Sequence, residues 1–210
     1  MHKETVTELL WNKLKVLMQM QRLQSFRLVG GTALSLLIGH RMSVDIDMFT
    51  DTDYATVDFK ELYREIKNEF KFISHEKWLN NTIGNSCFIG NSEEETVKLD
   101  LFYTDDFKYP ITEFEEIRIS SIEEIIAMKL EIIGSDSGGR KKDFWDIHAL
   151  LNQYNVSEML NFYEKRYPYN HTRQEIIDGL TNFEKADHDP DPICLIGNNW
   201  ELIKLDFEEL

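Results

Sequence analysis

The stretch from Leu28 to Phe49, LVGGTALSLLIGHRMSVDIDMF, constrains the fold more than any other, because three backbone habits follow one another within it. Val29 closes a short apolar run, and Gly30 and Gly31 then form a turn that needs no Cβ. Thr32 to Ile38 reads as a short apolar helix, whose first N–H groups have no intrahelical acceptor and point back at the glycine turn. A helix start of this kind holds phosphate. After Gly39 the chain reverses through His40, Arg41 and Met42, and Val44, Ile46 and Met48 then alternate with Asp45, Asp47 and Phe49. Period two specifies a strand with both carboxylates on one face.

Two carboxylates on one strand face, opposite a phosphate-holding turn, suit a divalent cation. Mg²⁺ takes oxygen ligands and bridges one or two carboxylates to a substrate's phosphates. Alternating charge by itself also describes the solvent face of an edge strand. The glycine turn and helix directly upstream favour the catalytic reading. Downstream, Val97, Leu99 and Leu101 share one strand face while Lys98, Asp100 and Phe102 share the other, which makes Asp100 a candidate third carboxylate.

GGTAL, then GHR, a serine and DIDMF resemble the nucleotidyltransferase-like toxins of the abortive-infection AbiEii type, a branch of the DNA polymerase β-like nucleotidyltransferase superfamily. MKL around Lys129, then Arg140 and KDFWDIHALL, resemble the same family. The resemblance implies an α+β fold, with a polymerase β-like core of mixed or antiparallel sheet flanked by helices and a helical C-terminal part. It also implies an NTP donor, Mg²⁺ (two ions), transfer to a tRNA 3′ end, and a neighbouring antitoxin as partner. The site it implies has Asp45, Asp47 and Asp100 at the metal, and Gly30, Gly31, Thr32, Arg41 and Lys129 at the nucleotide. Lys129, Asp143 and Asp100 join Asp45 and Asp47 in catalysis, with Ser43, Arg140 and Asp146 as subsidiary positions. The wider superfamily has Gly-Ser where this chain has Gly30 and Gly31, which leaves Thr32 as the nearest hydroxyl.

The 210 residues are 42% hydrophobic and 12% aromatic, enough for one or two compact units with a sizeable core. Cys87 and Cys194 lack CxxC spacing and read as ordinary thiols of a reducing compartment. The polar N-terminus carries no secretory signal, and no apolar run approaches the roughly eighteen residues of a membrane helix, so no membrane and a cytoplasmic setting are expected. A formal net charge of −15 argues against a broad nucleic-acid surface, which needs clustered Lys and Arg. An RNA end gripped locally is compatible with it, and Arg140, Lys141 and Lys142, the densest basic cluster, are the place for an acceptor strand unless they form a solvated loop.

Val6, Leu10, Leu14 and Leu17 mark a first helix ending near Leu23, and Phe59, Leu62, Tyr63, Ile66 and Phe70 a second. Phe72 to Leu79, Ser86 to Ile89 and Thr96 to Tyr103 read as strands of an antiparallel extension. From Ser120 the pattern is helical, with Ser120 or Ser121 as N-cap and Glu123 and Glu124 in the first turn. Lys129 falls on the stripe of Ile122, Ile125, Ile126 and Ile133, where a lysine needs an anion. That anion is either a structural carboxylate or the triphosphate, and the second is preferred. Asp143 and Asp146 share a face at i and i+3, Asp143 as site acid or simple helix-start acid, Asp146 as site acid or surface acid. Further helices are expected over Lys142 to Leu151, Val156 to Lys165, His171 to Phe183 and Trp200 to Phe207, and the loop through Asp187, His188, Asp189 and Asp191 is expected to be solvated. A boundary near Phe107 to Ile119 separates a nucleotidyltransferase-like core, 1–110, from a mainly helical part, 111–210.

The leading expectation is an enzyme that moves a nucleotidyl group from NTP to a hydroxyl. The alternative is a catalytically silent nucleotide-binding or partner-binding module on the same fold.

Overall fold

Val97, Leu99 and Leu101 are buried while Lys98 and Asp100 between them are not, so strand β5 (Thr96–Tyr103) rests one face on a core and keeps the other open. In the computed structural model, which describes residues 1–74 and 78–210, β5 belongs to a mixed sheet. The other strands are β1 (Arg27–Leu28), β2 (Asp45–Thr50), β3 (Phe72–Ile73), β4 (Gly84–Gly90), β6 (Ile111–Phe114) and β7 (Ile117–Ser120). Among the described residues the sheet has seven strands in the order β3-β4-β5-β2-β1-β7-β6. β2 runs parallel to β5 and β1 parallel to β7, whereas β1–β2, β3–β4, β4–β5 and β6–β7 are antiparallel. The expected Phe72 to Leu79 strand is confined to Phe72–Ile73, and its residues 75–77 lie outside the described residues.

By its contacts the chain divides into two units. The sheet unit, Val6–Thr32 with Ser43–Ser120, carries helices α1 (Glu8–Gln19) and α3 (Phe59–Glu69). Thr7 caps α1 by accepting from Leu10 N–H at 3.1 Å, and Val6, Leu10, Leu14 and Leu17 are buried as their spacing requires. The helix stops at Gln19 and a 3-10 turn, Gln21–Leu23, completes the stripe. Arg118 then ties this end down, donating to the carbonyls of Met18, Leu23 and Phe26 at 3.0, 2.9 and 2.9 Å.

The helical unit comprises Met1–Thr5, Ala33–Met42 and Ser121–Leu210. Its helices are α4 (Ile122–Gly134), α5 (Lys141–His148), α6 (Val156–Arg166), α7 (Arg173–Leu180) and α8 (Trp200–Glu208), with the body of α2 (Gly30–Ile38). Ser121 caps α4, and the fully buried Glu124 of that helix pairs with the fully buried Arg166 of α6. The division is discontinuous in sequence, and one of its cuts follows Ser120, at the edge of the expected Phe107 to Ile119 boundary, so the β6–β7 hairpin belongs to the sheet unit.

The 187–191 loop is largely exposed, as expected, but its acids are engaged with the protein. Asp189 accepts the Lys141 backbone N–H at 3.0 Å, Asp191 takes the Lys141 ammonium at 2.9 Å, and Asp187 accepts from Trp200 Nε1 at 2.6 Å. The loop thus clamps the start of α5 and the start of α8. Beneath it Phe144 meets Phe183, Trp200 and Phe207 edge-on at centroid distances of 5.3 to 5.9 Å. No helix among the described residues is long and apolar enough to cross a membrane.

Candidate active site

Alternation in β2 leaves Ile46 and Met48 fully buried and Asp45 and Asp47 half-buried on the opposite face. Val44, expected to join the apolar side, precedes the strand and is 63% exposed. The glycine turn is sewn to this strand from two sides. Val29 N–H donates to the Asp47 carbonyl at 2.9 Å, and the Thr32 hydroxyl donates to the Asp45 carbonyl and pairs with Ser43 Oγ at 2.8 Å. Thr32 and Ser43 are buried, so their hydroxyls fix the turn instead of standing open to a phosphate.

Gly30 explains itself by two measurements. Its φ is +68°, in the left-handed region, and a Cβ there would come within 2.9 Å of Asp47 Oδ2. The Asp47 carboxylate therefore lies close against the start of α2, in the space a Cβ at Gly30 would need, with Gly31 half-buried beside them. Parallel pairing adds the neighbouring strand: Asp45 stands opposite Lys98, and Asp47 opposite Asp100. Side chains opposite one another in register share a face, so Asp45, Asp47, Lys98 and Asp100 form one charged block.

Within the block Lys98 Nζ lies 2.6 Å from Asp100 Oδ2. Partial burial pulls the ammonium down, but the Asp100 hydrogen bond and the charges of Asp100, Asp45 and Asp47 outweigh it and raise Lys98 above its ordinary value. The other oxygen, Asp100 Oδ1, is buried and has no hydrogen-bond partner among the described residues. The described residues hold no group of three or more His, Cys, Asp or Glu already drawn together as a metal cluster. The donor chemistry nonetheless fits a hard divalent cation: every candidate ligand is a carboxylate oxygen, and one of them is buried with no hydrogen-bond partner among the described residues.

The second group lies in the helical unit, and the structure differs there from the expectation of a lysine aimed at the triphosphate. Lys129 is 3% exposed, with Nζ 2.5 Å from Asp143 Oδ1 and 2.7 Å from Asp146 Oδ2. Asp146 also receives Arg41 Nε at 2.6 Å, Arg41 Nη2 at 2.9 Å and His40 Nε2 at 2.7 Å. Arg41, expected at the nucleotide, is 3% exposed and bidentate on this carboxylate. Asp143 accepts from the Arg140 backbone N–H at 3.0 Å and pairs with Arg140 Nε at 3.2 Å, which caps α5. Both aspartates are fully buried, so neither is a surface acid nor only a helix-start acid.

Burial pushes the Asp146 carboxyl up, but the Lys129 and Arg41 charges and the bonds from His40 and Arg41 hold it well below the ordinary carboxylate value. Asp143 is lowered too, burial being outweighed by Lys129 and Arg140. Lys129 is raised, since the two aspartates overcome its own burial. The expected basic cluster shrinks accordingly, for Lys141 is 5% exposed, bound to Asp191 and seated 5.2 Å over the Trp200 ring.

Two residues join these groups that the sequence does not mark as site residues. Lys98 was visible in the β5 alternation, as a cation on the face of Asp100. His40 carried no signal beyond its place beside Arg41, because its partner stands 106 positions away.

A model of the nucleotidyl transferase AbiEii toxin family, type IV toxin–antitoxin systems, matches residues 13–210. An uncharacterised protein of Aquifex aeolicus (strain VF5) is 29% identical over 169 residues, 77% of this chain and 75% of that one. Among solved structures, an H. pylori protein assigned as a nucleotidyltransferase superposes with a TM-score of 0.60 at 21% identity, covering 93% of this chain and 89% of the other. JHP933 from Helicobacter pylori gives 0.51 at 19% identity over 94% and 92% of the two chains. At such identities the structural likeness is one of fold, and that fold is the α+β nucleotidyltransferase fold.

Proposed function

The chain belongs to the nucleotidyl transferase AbiEii toxin family of type IV toxin–antitoxin systems, and on that footing we propose that it moves a nucleotidyl group from an NTP to a hydroxyl at the carboxylate face of β2 and β5. The observation that carries the reading is the close approach of the Asp47 carboxylate to Gly30, which sets it against the start of α2. Asp45, Asp47 and Asp100 would hold Mg²⁺, whose charge, when bound, stabilises the attacking and leaving oxygens of the transfer. Backbone N–H groups at Gly30 and Gly31 orient the donor's phosphates. Asp100, whose Oδ1 has no hydrogen-bond partner among the described residues, takes the proton of the acceptor hydroxyl, whose oxygen then bonds to the α-phosphorus as pyrophosphate departs. Thr32 and Ser43 hold the turn and strand in this arrangement, and the Lys129, Asp143, Asp146 and Arg41 network orders the helical unit.

We place a tRNA 3′ end as the acceptor and a separate antitoxin as the partner, in keeping with the family. The net charge of −15 favours a short, local grip on the RNA over an extended one. The test is incubation of the purified protein with each α-labelled NTP, Mg²⁺ and total RNA. Label should enter a tRNA-sized species, and Asp45→Asn and Asp47→Asn should each abolish it. Labelling of RNA that survives both substitutions would sink the assignment of the face, and labelling of protein in place of RNA would change the acceptor.

A further inference from the structure

We propose that Lys98 is a tethered counter-ion that a divalent metal has to displace from Asp45, Asp47 and Asp100, so that this lysine sets how tightly the face takes its metal. The inference rests on the reading of that face as the metal-holding one. Three observations lead to it. Lys98 stands opposite Asp45 in the β2–β5 register, with Asp47 and Asp100 as the next pair on that face, so the lysine is rooted in the same block as the three carboxylates. Its Nζ lies 2.6 Å from Asp100 Oδ2, which occupies one oxygen of a carboxylate whose other oxygen is buried and has no hydrogen-bond partner among the described residues. The Lys98 side chain is 42% exposed, against 4% for Lys129, so this ammonium can turn into water where Lys129 cannot.

A lysine is a compact charge on a flexible four-carbon stem, suited to holding carboxylates apart from one another's repulsion and to leaving when a stronger cation arrives. While it stays, it opposes a second cation at the same oxygens. Expelled, it remains anchored beside the block and continues to repel. Both effects weaken metal binding, and both vanish when the charge is removed.

The test measures Mn²⁺ affinity by titration of the free ion's paramagnetic signal, in the full chain without substrate. Lys98→Met, which keeps the stem and deletes the charge, should bind roughly three- to tenfold more tightly than the unaltered protein. Lys98→Arg should bind like the unaltered protein, and Lys98→Met combined with Asp45→Asn should fall back below Lys98→Met alone. Circular dichroism confirms that each variant is folded. Unchanged or weaker binding in Lys98→Met overturns the proposal and makes Lys98 an organiser of Asp100. Loss of metal-free NTP binding with metal affinity unchanged overturns it too, in favour of a phosphate contact. Absence of Mn²⁺ binding in every protein removes the metal-holding reading of the face along with the proposal, whereas binding that ignores Lys98 removes the proposal alone.

Discussion

Asp146 has no exposed surface and accepts from three side chains, His40, Arg41 and Lys129, which makes it the hub of the largest buried charge network described in the helical unit. A buried carboxylate is tolerated only while such partners remain. Lys129→Met therefore does not relieve an apolar stripe; it removes the cation that Asp143 and Asp146 share, leaving the first to Arg140 and the second to Arg41 and His40. The expected cost is about 3–5 kcal/mol, read as a lower urea midpoint. Lys129→Met with Asp143→Asn should recover part of it, because one of the two carboxylates that lost a cation is gone. A Lys129→Met protein as stable as its parent would mean that the network contributes nothing. The pH dependence follows from the directions of the shifts. Asp143 and Asp146 are lowered in the folded state, so their stabilisation is complete above the unfolded carboxylate value of about 3.9 and is lost as pH falls through the folded values beneath it. Lys129 is raised, so its share is complete below about 10.4 and is lost as pH rises through its folded value. The urea midpoint should fall at both extremes in the parent, and Lys129→Met should flatten the alkaline limb.

The start of α2 and the strand β2 work as one element, since Val29, Thr32 and Gly30 all engage the backbone or side chains of Asp45 and Asp47. Gly30→Ala places a Cβ within 2.9 Å of Asp47 Oδ2 in a backbone of φ +68°. The left-handed conformation costs an L-residue about 1–2 kcal/mol, and the carboxylate must move as well. Melting should shift by a few degrees while Mn²⁺ affinity and transferase activity fall together, at least about tenfold if the carboxylate leaves its contact. Activity retained in a Gly30→Ala protein would show that Asp47 does not need its seat on the turn. This element was legible beforehand because its signals are local: period two in β2 and β5, paired glycines, and an apolar run of helical length. Val44 was misplaced because alternation cannot say where a strand begins. Lys129 is recognisable in the sequence as a buried cation that needs an anion, but no local pattern reveals that the anion is Asp143 and Asp146 on another helix and not a ligand. The clamp formed by Asp187, Asp189 and Asp191 was hidden for the same reason: an acidic proline loop looks alike whether its partner is water or Lys141.

Over the whole molecule the acids outnumber the bases, 38 to 23, and many of the bases are engaged. Arg22, Lys98, Lys129, Lys141, Arg166 and Arg173 each sit within ion-pair distance of a carboxylate. The division into units was harder to read than the charge, because Met1–Thr5 and Ala33–Met42 join the helical unit although the sequence around them belongs to the sheet. A single cut along the chain cannot express that. Charge carries the prediction at this scale. Each phosphate neutralised by a protein cation releases counterions, and log K falls with log salt by roughly 0.7 to 0.9 per contact. With Lys141 held by Asp191 and Trp200, reversing Arg140, Lys141 and Lys142 together would break the start of α5 and would not isolate RNA contacts. Arg140→Glu alone, on a side chain 48% exposed, is the cleaner probe, read beside its folded-state melting curve because Asp143 loses a partner. Binding of tRNA measured between 50 and 200 mM salt should give a slope no steeper than about −3, the value for three or four phosphates. Arg140→Glu should weaken binding and make the slope shallower by about one contact's worth, roughly 0.7 to 0.9. A parent slope steeper than about −5 would require an extended cationic track and would place the acceptor on a surface other than the one around α5.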